Sequence, residues 1–127
     1  MEYKKSAARS TGIEGERIAA GYLAGQGYKL LDANYRYRHR EIDLIVEKAG
    51  VLAFVEVKTR SADALQSAPC AVDWRKQMYL YSAAAAYVRN HGLVSEIRFD
   101  IVWIERRGKG KYVVVEHMEN AFSPLGG

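Results

Sequence analysis

Asp43 lies inside one apolar run, "REIDLIVE" (40–47), and Glu56 and Lys58 lie inside another, "VLAFVEVKT" (51–59). Both runs read as strands, and Lys48-Ala49-Gly50 falls where a hairpin would bend. Residues i and i+2 of a strand share a face, so Glu56 and Lys58 go with Leu52 and Phe54, and Asp43 with Glu41 and Ile45. A two-residue turn at Ala49-Gly50 makes directly paired positions sum to 99, which sets Asp43 opposite Glu56. Opposed residues have Cβ atoms about 5 Å apart, and two carboxylates at that distance repel unless a cation sits with them. Mg²⁺ meets that need, because it binds oxygen, takes one or two carboxylates and leaves its other positions to water and phosphate. Lys58 would then lie beside the ion, able to orient a water or to meet charge developing on a phosphate. A plainer arrangement fits the same residues: Glu56 and Lys58 as a cross-strand charge pair on a wet sheet face.

The elements that must hold these side chains follow from the flanking sequence. A first helix is expected from Thr11, where Thr11 and Glu14 match a capping box and Ile18, Ala19, Tyr22 and Leu23 give an apolar stripe. Gly25 to Gly27 end it. Strands follow at "YKLLDANYR" (28–36), "REIDLIVE" and "VLAFVEVKT". After "RSADALQSA", Pro69 suits a first helical turn, and an alanine-rich second helix is expected from Cys70 to Asn90, stopped by Gly92. "EIRFDIVWIE" (96–105) and "KYVVVEHM" (111–118) complete an α-β-β-β-α-β-β order, an α/β mixed sheet of about five strands flanked by helices. The second helix is long enough to cross over and join strands three and four in parallel.

The chain has 127 residues, no repeats and no linker, which gives one domain with a core of about 11–118 and loose ends at 1–9 and 120–127. Cys70 is the single cysteine, so no internal disulfide forms, and a small packed thiol fits it better than a nucleophile. No apolar stretch follows the basic start, and "SAAAAYV" (82–88) is too short for a bilayer, so no membrane association is expected and the cytoplasm is the expected compartment. The net charge is +4. Its distribution is uneven: Arg36, Arg38, His39 and Arg40 form a knot before the first carboxylate, and "ERRGKGK" carries Arg106, Arg107, Lys109 and Lys111. Such clusters suit a polyanion, because neutralising phosphates releases counterions. They also serve as ordinary solubilising charge on turns.

Taken together, "GERIAAGYLAGQGYKLLDANYR", "REIDLIVE", "LAFVEVKTR", "AVDWRKQ" and "RFDIVWI" resemble the YraN family of small bacterial proteins, described as predicted endonucleases. "EIDLI" followed by "FVEVKTR" is similar to the core of the PD-(D/E)xK nuclease superfamily, the restriction-endonuclease-like fold, and the spacing also resembles that of archaeal Holliday junction resolvases. The likeness covers about residues 12–105. It implies Asp43 and Glu56 as metal ligands, with the backbone carbonyl of Val57 as a third, and Lys58 as the catalytic lysine. It also implies Glu16 as an additional helix carboxylate and Gln77 as a polar residue near the site. The cofactor would be Mg²⁺ or Mn²⁺ and the substrate DNA, including branched or repair intermediates, with Arg36, Arg38 and Arg40 on the phosphate backbone. Resolvase-like relatives pair to cut two strands, which makes a homodimer the implied assembly. Two departures stand out: Arg40 replaces the glycine usual before "EIDLI", and the loop after the lysine strand lacks Phe-Gly.

Other residues carry less. His39, His91 and His117 show no zinc spacing, and there is no P-loop or dinucleotide fingerprint. Asp100 could support the site or make a structural hydrogen bond, and Tyr35 and Tyr37 could stack on bases or pack. Two rival functions remain: a nucleic-acid-binding module with the nuclease fold and no useful turnover, and an interaction protein whose carboxylates hold a structural ion.

Overall fold

A computed structural model describes residues 3–62, 73–92 and 96–122. The elements run α1 (Tyr3–Gly25), β1 (Lys29–Tyr37), β2 (Arg40–Lys48), β3 (Val51–Ser61), α2 (Trp74–His91), β4 (Glu96–Arg106) and β5 (Tyr112–Met118). This is the expected α-β-β-β-α-β-β order, in one five-stranded mixed sheet of spatial order β1-β2-β3-β4-β5. All neighbours are antiparallel except β3 and β4, which α2 joins in parallel. No described helix is long and apolar enough to cross a membrane.

Two apolar clusters cover the two sheet faces. Ala19 and Leu23 of α1 pack with Leu44, Val46, Ala53, Val55, Val102 and Ile104. On the other face Leu80, Ala83, Ala84 and Tyr87 of α2 pack with Ile45, Leu52, Phe54, Phe99 and Ile101. The strands alternate between these clusters because their side chains do. The helices supply small residues that let them approach closely: Ala83 is fully buried, as is Ala19.

The helix starts differ from expectation. The first helix begins at Tyr3 and runs through Thr11, so that residue does not cap it. Residues 3–10, "YKKSAARS", contain good helix formers and no proline to stop the helix extending backwards. The second helix begins at Trp74, because Asp73 in an extended conformation (φ −71°, ψ 171°) takes the cap and accepts from Lys76 N at 2.9 Å. Pro69, Cys70 and the stretch before them, like residues 123–127, lie outside the described residues. At the far end Gly92 adopts φ 61° and closes α2, as expected of glycine in the left-handed region.

The β2–β3 turn takes the anticipated form. Ala49 (φ 51°) and Gly50 (φ 80°) make a two-residue turn, and the pairs from Lys48↔Val51 to Leu44↔Val55 all keep the predicted register. The ladder stops there. One step further, where Asp43 would pair with Glu56, the strands fork.

The packing of α1 on β3 controls how near the first helix comes to that fork. Gly15 is buried, and a Cβ added to it would collide with Thr59 Oγ1 of β3. Threonine is stiff at χ1 and cannot turn aside freely. Gly15→Ala is therefore expected to lower stability by about 1–3 kcal/mol through overpacking. Adding Thr59→Ala should recover it, since only an ordinary contact to the β-carbon, 3.5 Å away, then remains. Urea denaturation of the two variants measures the difference, and an equal loss in both would contradict this account of the approach.

Candidate active site

The fork is made by a side chain taking the place of backbone. Asp43 Oδ2 accepts a hydrogen bond of 2.8 Å from Val57 N, the donor that a continuing β2 would otherwise have satisfied. Strand geometry sends the N–H and C=O of one residue to the same flank, so the Val57 carbonyl also opens toward the Asp43 side. The alternation of β2 breaks at this point. Ile42 joins the cluster beneath α2 together with Ile45, whereas parity alone groups it with Leu44 and Val46.

Glu56 sits on the α2 side of β3 and is nearly buried. Its Oε2 accepts from Lys76 Nζ at 2.8 Å, an ion pair of which the Lys76 side chain is 26% exposed and that of Glu56 11%. Its other oxygen, Oε1, is buried and has no hydrogen-bond partner among the described residues. From the opposite face α1 brings Glu16, half-buried, close enough to Asp43 and Asn34 for both to act on its carboxyl. The polar chain Glu16–Asp43–Glu56–Lys76 thus passes through the end of the sheet from one helix to the other.

Crowding and burial in that space raise two of the carboxyls. Burial pushes the Asp43 carboxyl from its ordinary 3.8 to about 7, helped by the charges of Glu56 and Glu16 and opposed by the Val57 hydrogen bond and Lys76. Glu16 is also raised, first by burial, although its hydrogen bonds to Asn34 and Asp43 work against the rise.

Lys58 faces the same side as Glu56, is half-buried, and makes no hydrogen bond or ion pair among the described residues. Gln77 is half-buried in α2, and its side-chain oxygen lies 3.4 Å from the Tyr81 hydroxyl. Lys76, one residue earlier, is the α2 side chain that reaches Glu56. The sequence held a signal for it: a carboxylate buried in β3 needs a cation, and the crossover delivers the first turn of α2 there. Asn34 was missed as well, and its φ of 53° inside β1 gave no warning in the residue pattern.

The basic knot lies at the tip of the β1–β2 hairpin, with Arg38 (φ 60°) and His39 in the turn. Arg38 stacks over Tyr37 at 5.2 Å and Arg40 over Tyr79 at 5.8 Å, while Arg36 lies 3.8 Å from Glu41. A groove of about 320 Å³ runs here between Tyr37, Arg38, His39, Arg40, Met78, Tyr79 and Ser82. Tyr35 and Tyr37 turn inward onto Tyr87 and Tyr79 of α2, so they pack rather than offer free faces to bases.

Asp100 belongs to a different network, beneath α1. It is fully buried and accepts from Arg98 Nε and Nη2 (2.9 Å each), from His117 Nε2 (2.8 Å) and from Asn120 N (3.0 Å). Burial alone would raise its carboxyl, but the bonds from His117, Arg98 and Asn120 outweigh that and hold it below the usual range. Arg98 also donates to the Tyr28 hydroxyl. Of the two roles open to Asp100, the geometry favours the structural one.

Could the fork take a divalent cation? Among the described residues no three Asp, Glu, His or Cys side chains converge tightly enough to hold an ion by themselves. What the fork offers is two carboxylates, one of them with a buried oxygen that has no partner among the described residues, and a backbone carbonyl, all hard donors of the kind Mg²⁺ prefers. The residues fit such an ion, with water completing its shell.

A family profile described as "Uncharacterised protein family UPF0102" matches residues 15–104, which include the whole fork. The chain is 40% identical to a UPF0102 protein of Alkaliphilus metalliredigens, over 90% of this chain and 98% of the relative. It is 42% identical to one from Parabacteroides distasonis (87% and 90% covered) and 38% identical to one from Synechococcus sp. (94% of each).

Proposed function

The chain belongs to the UPF0102 family, the YraN-like proteins, and from its forked carboxylate site we propose that it is a divalent-metal-dependent nuclease acting on DNA phosphodiesters. The observation that carries this reading is the proximity of Asp43 and Glu56 at the end of the β2–β3 ladder, with Glu56 Oε1 buried and without a partner among the described residues. A fold stabilised for its own sake has no use for such crowding, because a buried carboxylate oxygen without a partner costs about 1–3 kcal/mol or more. The resemblance to the PD-(D/E)xK nucleases, in the linked set Glu16, Asp43, Glu56 and Lys58, supports it independently of the geometry.

In this reading Asp43, Glu56 and the Val57 carbonyl hold Mg²⁺ or Mn²⁺. Bound there, the metal would polarise a phosphoryl oxygen and lower the pKa of a water. The Val57 amide fixes the Asp43 carboxylate, and Glu16 braces it from α1. Lys58 places an ammonium without an ion pair among the described residues on the Glu56 side, where charge on a transition-state phosphate would be met by a preorganised cation. Arg36, Arg38 and Arg40 would neutralise neighbouring phosphates, and branched or repair intermediates remain among the proposed substrates. A homodimer would let two such sites cut two strands.

Lys76 favours one rival, a binding module without turnover, since its ammonium already compensates Glu56. Calorimetry with Mn²⁺ separates the two. Lys76→Met is expected to cost the metal-free protein about 1–3 kcal/mol by stranding a buried charge, and Mn²⁺ should restore the loss. Glu56→Gln should weaken Mn²⁺ binding at least tenfold. Unchanged Mn²⁺ affinity in Glu56→Gln, with no rescue of Lys76→Met, would sink the metal site.

A further inference from the structure

The second basic cluster has no part in the site described so far, yet the topology returns it to the same place. β2 runs antiparallel to β3 and β4 runs parallel to it, so the start of β2 and the ends of β3 and β4 share one end of the sheet. Both hairpin tips lie there. The Arg38-His39 turn joins β1 to β2, and residues 107–111 join β4 to β5, where Arg107 N donates to Lys111 O at 2.7 Å. Ser61 at the end of β3 pairs with Arg106 at the foot of the second tip. The fork between β2 and β3 opens between the two hairpins in the strand order.

The charges at the second tip are only partly committed. Glu105 accepts from Arg107 Nε at 2.7 Å and lies 3.9 Å from Arg60, which accounts for those two cations. Arg106, Lys109 and Lys111 are exposed and have no ion pair among the described residues. Gly108 (φ 82°) and Gly110 (φ 73°) allow the tight turn that presents the lysines outward. Beside it a hollow of about 360 Å³ is lined by Ser61, Ala62, Arg106 and Gly108. The two tips are three strand spacings apart, about 14 Å, and the carboxylates lie about three residues, or ~10 Å, in from the rim between them.

We propose that the β4–β5 hairpin, through Arg106, Lys109 and Lys111, is a second nucleic-acid contact that grips the phosphate backbone on the side of the fork opposite Arg38 and Arg40. The inference rests on the nucleic-acid reading of the fork and extends it: the substrate lies across the end of the sheet, held on both flanks of the point of cleavage. An anionic membrane or an acidic protein would gain from the charge, but neither has a reason to need cations on two sides of a carboxylate pair. A polyphosphate chain does, because its own charge must be neutralised on the way past the acids.

The test is binding in EDTA, so that it does not depend on metal or turnover. Fluorescence anisotropy with a labelled 30-base-pair duplex and a labelled single strand gives the slope of log affinity against log salt concentration. Removing three phosphate contacts should reduce that slope by about 2–3. Arg106→Ala/Lys109→Ala/Lys111→Ala is therefore expected to weaken binding tenfold or more at 0.1 M salt, comparably to Arg38→Ala/Arg40→Ala, with further loss when the two sets are combined. A charge-retaining Lys109→Arg/Lys111→Arg variant should bind like the wild type, and unchanged thermal melting in each variant excludes a folding defect. If the triple variant keeps the wild-type slope while Arg38→Ala/Arg40→Ala loses it, the second contact is refuted and the proposed nuclease stands. If the wild type binds phosphatidylserine vesicles but neither nucleic acid, the proposal is overturned in favour of a membrane surface. Failure of Mn²⁺ binding with both hairpin effects intact would instead overturn the metal site alone.

Discussion

Asp43→Asn should give a protein that is more stable than the wild type at pH 8 and inactive as a nuclease. The stability half follows from linkage. The Asp43 carboxyl titrates near 3.8 in an unfolded chain and near 7 in the fold, so between those values the native state holds a proton that the unfolded state has released. Stability then falls as pH rises through that window, by about 1.4 kcal/mol per pH unit, and levels off above pH 7. Below pH 4 both states are protonated and the penalty vanishes. An asparagine has no charge to bury, and its carbonyl can still accept from Val57 N. We expect a gain of about 2–4 kcal/mol at pH 8 and little change at pH 4, read by urea denaturation at the two values. A destabilised variant at pH 8 would mean that Asp43 is held ionised by its surroundings and that the fork is not strained by its acids.

Asp100→Ala should act in the opposite sense and at least as strongly. Its four hydrogen-bonded donors include the Arg98 guanidinium, with a side chain 17% exposed beside a carboxylate that is wholly buried. Removing one member of a buried ion pair typically costs about 3–5 kcal/mol, because the partner is left uncompensated. The loss should appear in denaturation at pH 7 without change in Mn²⁺ affinity, since the network lies apart from the fork. The sign of its pH dependence is also fixed. A carboxyl held below its ordinary 3.8 contributes stability that is fully present above that value and is lost as pH falls through the lower native one. The wild type should accordingly lose stability in strong acid that Asp100→Ala no longer has to lose. A variant as stable as the wild type at pH 7 would show that Arg98 and His117 find other partners.

Much of this was legible in the residues, and the gaps have physical causes. The strands followed from alternation, and the β2–β3 register from one turn, Ala49-Gly50, whereas the irregularities at Leu30/Asp32 and Trp103/Ile104 left no such mark in the pattern. Parity could not show that β2 stops obeying it at Asp43, where a carboxylate replaces a backbone partner. The helix starts failed for a local reason each time: Thr11 looks like a cap only if nothing helical precedes it, and Asp73 captured the role expected near Pro69. Glu16, Asp43, Glu56 and Lys58 follow from pattern and resemblance, whereas neither names Lys76, which reaches Glu56 from the first turn of α2. Which residue in a helical first turn reaches a strand depends on a rotation of about 100° per residue, which the helix start fixes.

The central claim is that Asp43, Glu56 and Lys58 make this chain a metal-dependent nuclease. The most direct measurement is cleavage of end-labelled duplex, single-stranded, flapped and four-way-junction DNA, and of RNA, with Mg²⁺, Mn²⁺ or EDTA, by the wild type beside Glu56→Gln and Lys58→Ala. The expected result is cleavage of at least one DNA substrate that needs the divalent ion and falls by about 10²–10³-fold in either variant, the scale of losing one preorganised charge. Cleavage that survives both substitutions, or no cleavage of any substrate by a wild type that binds them, would contradict it.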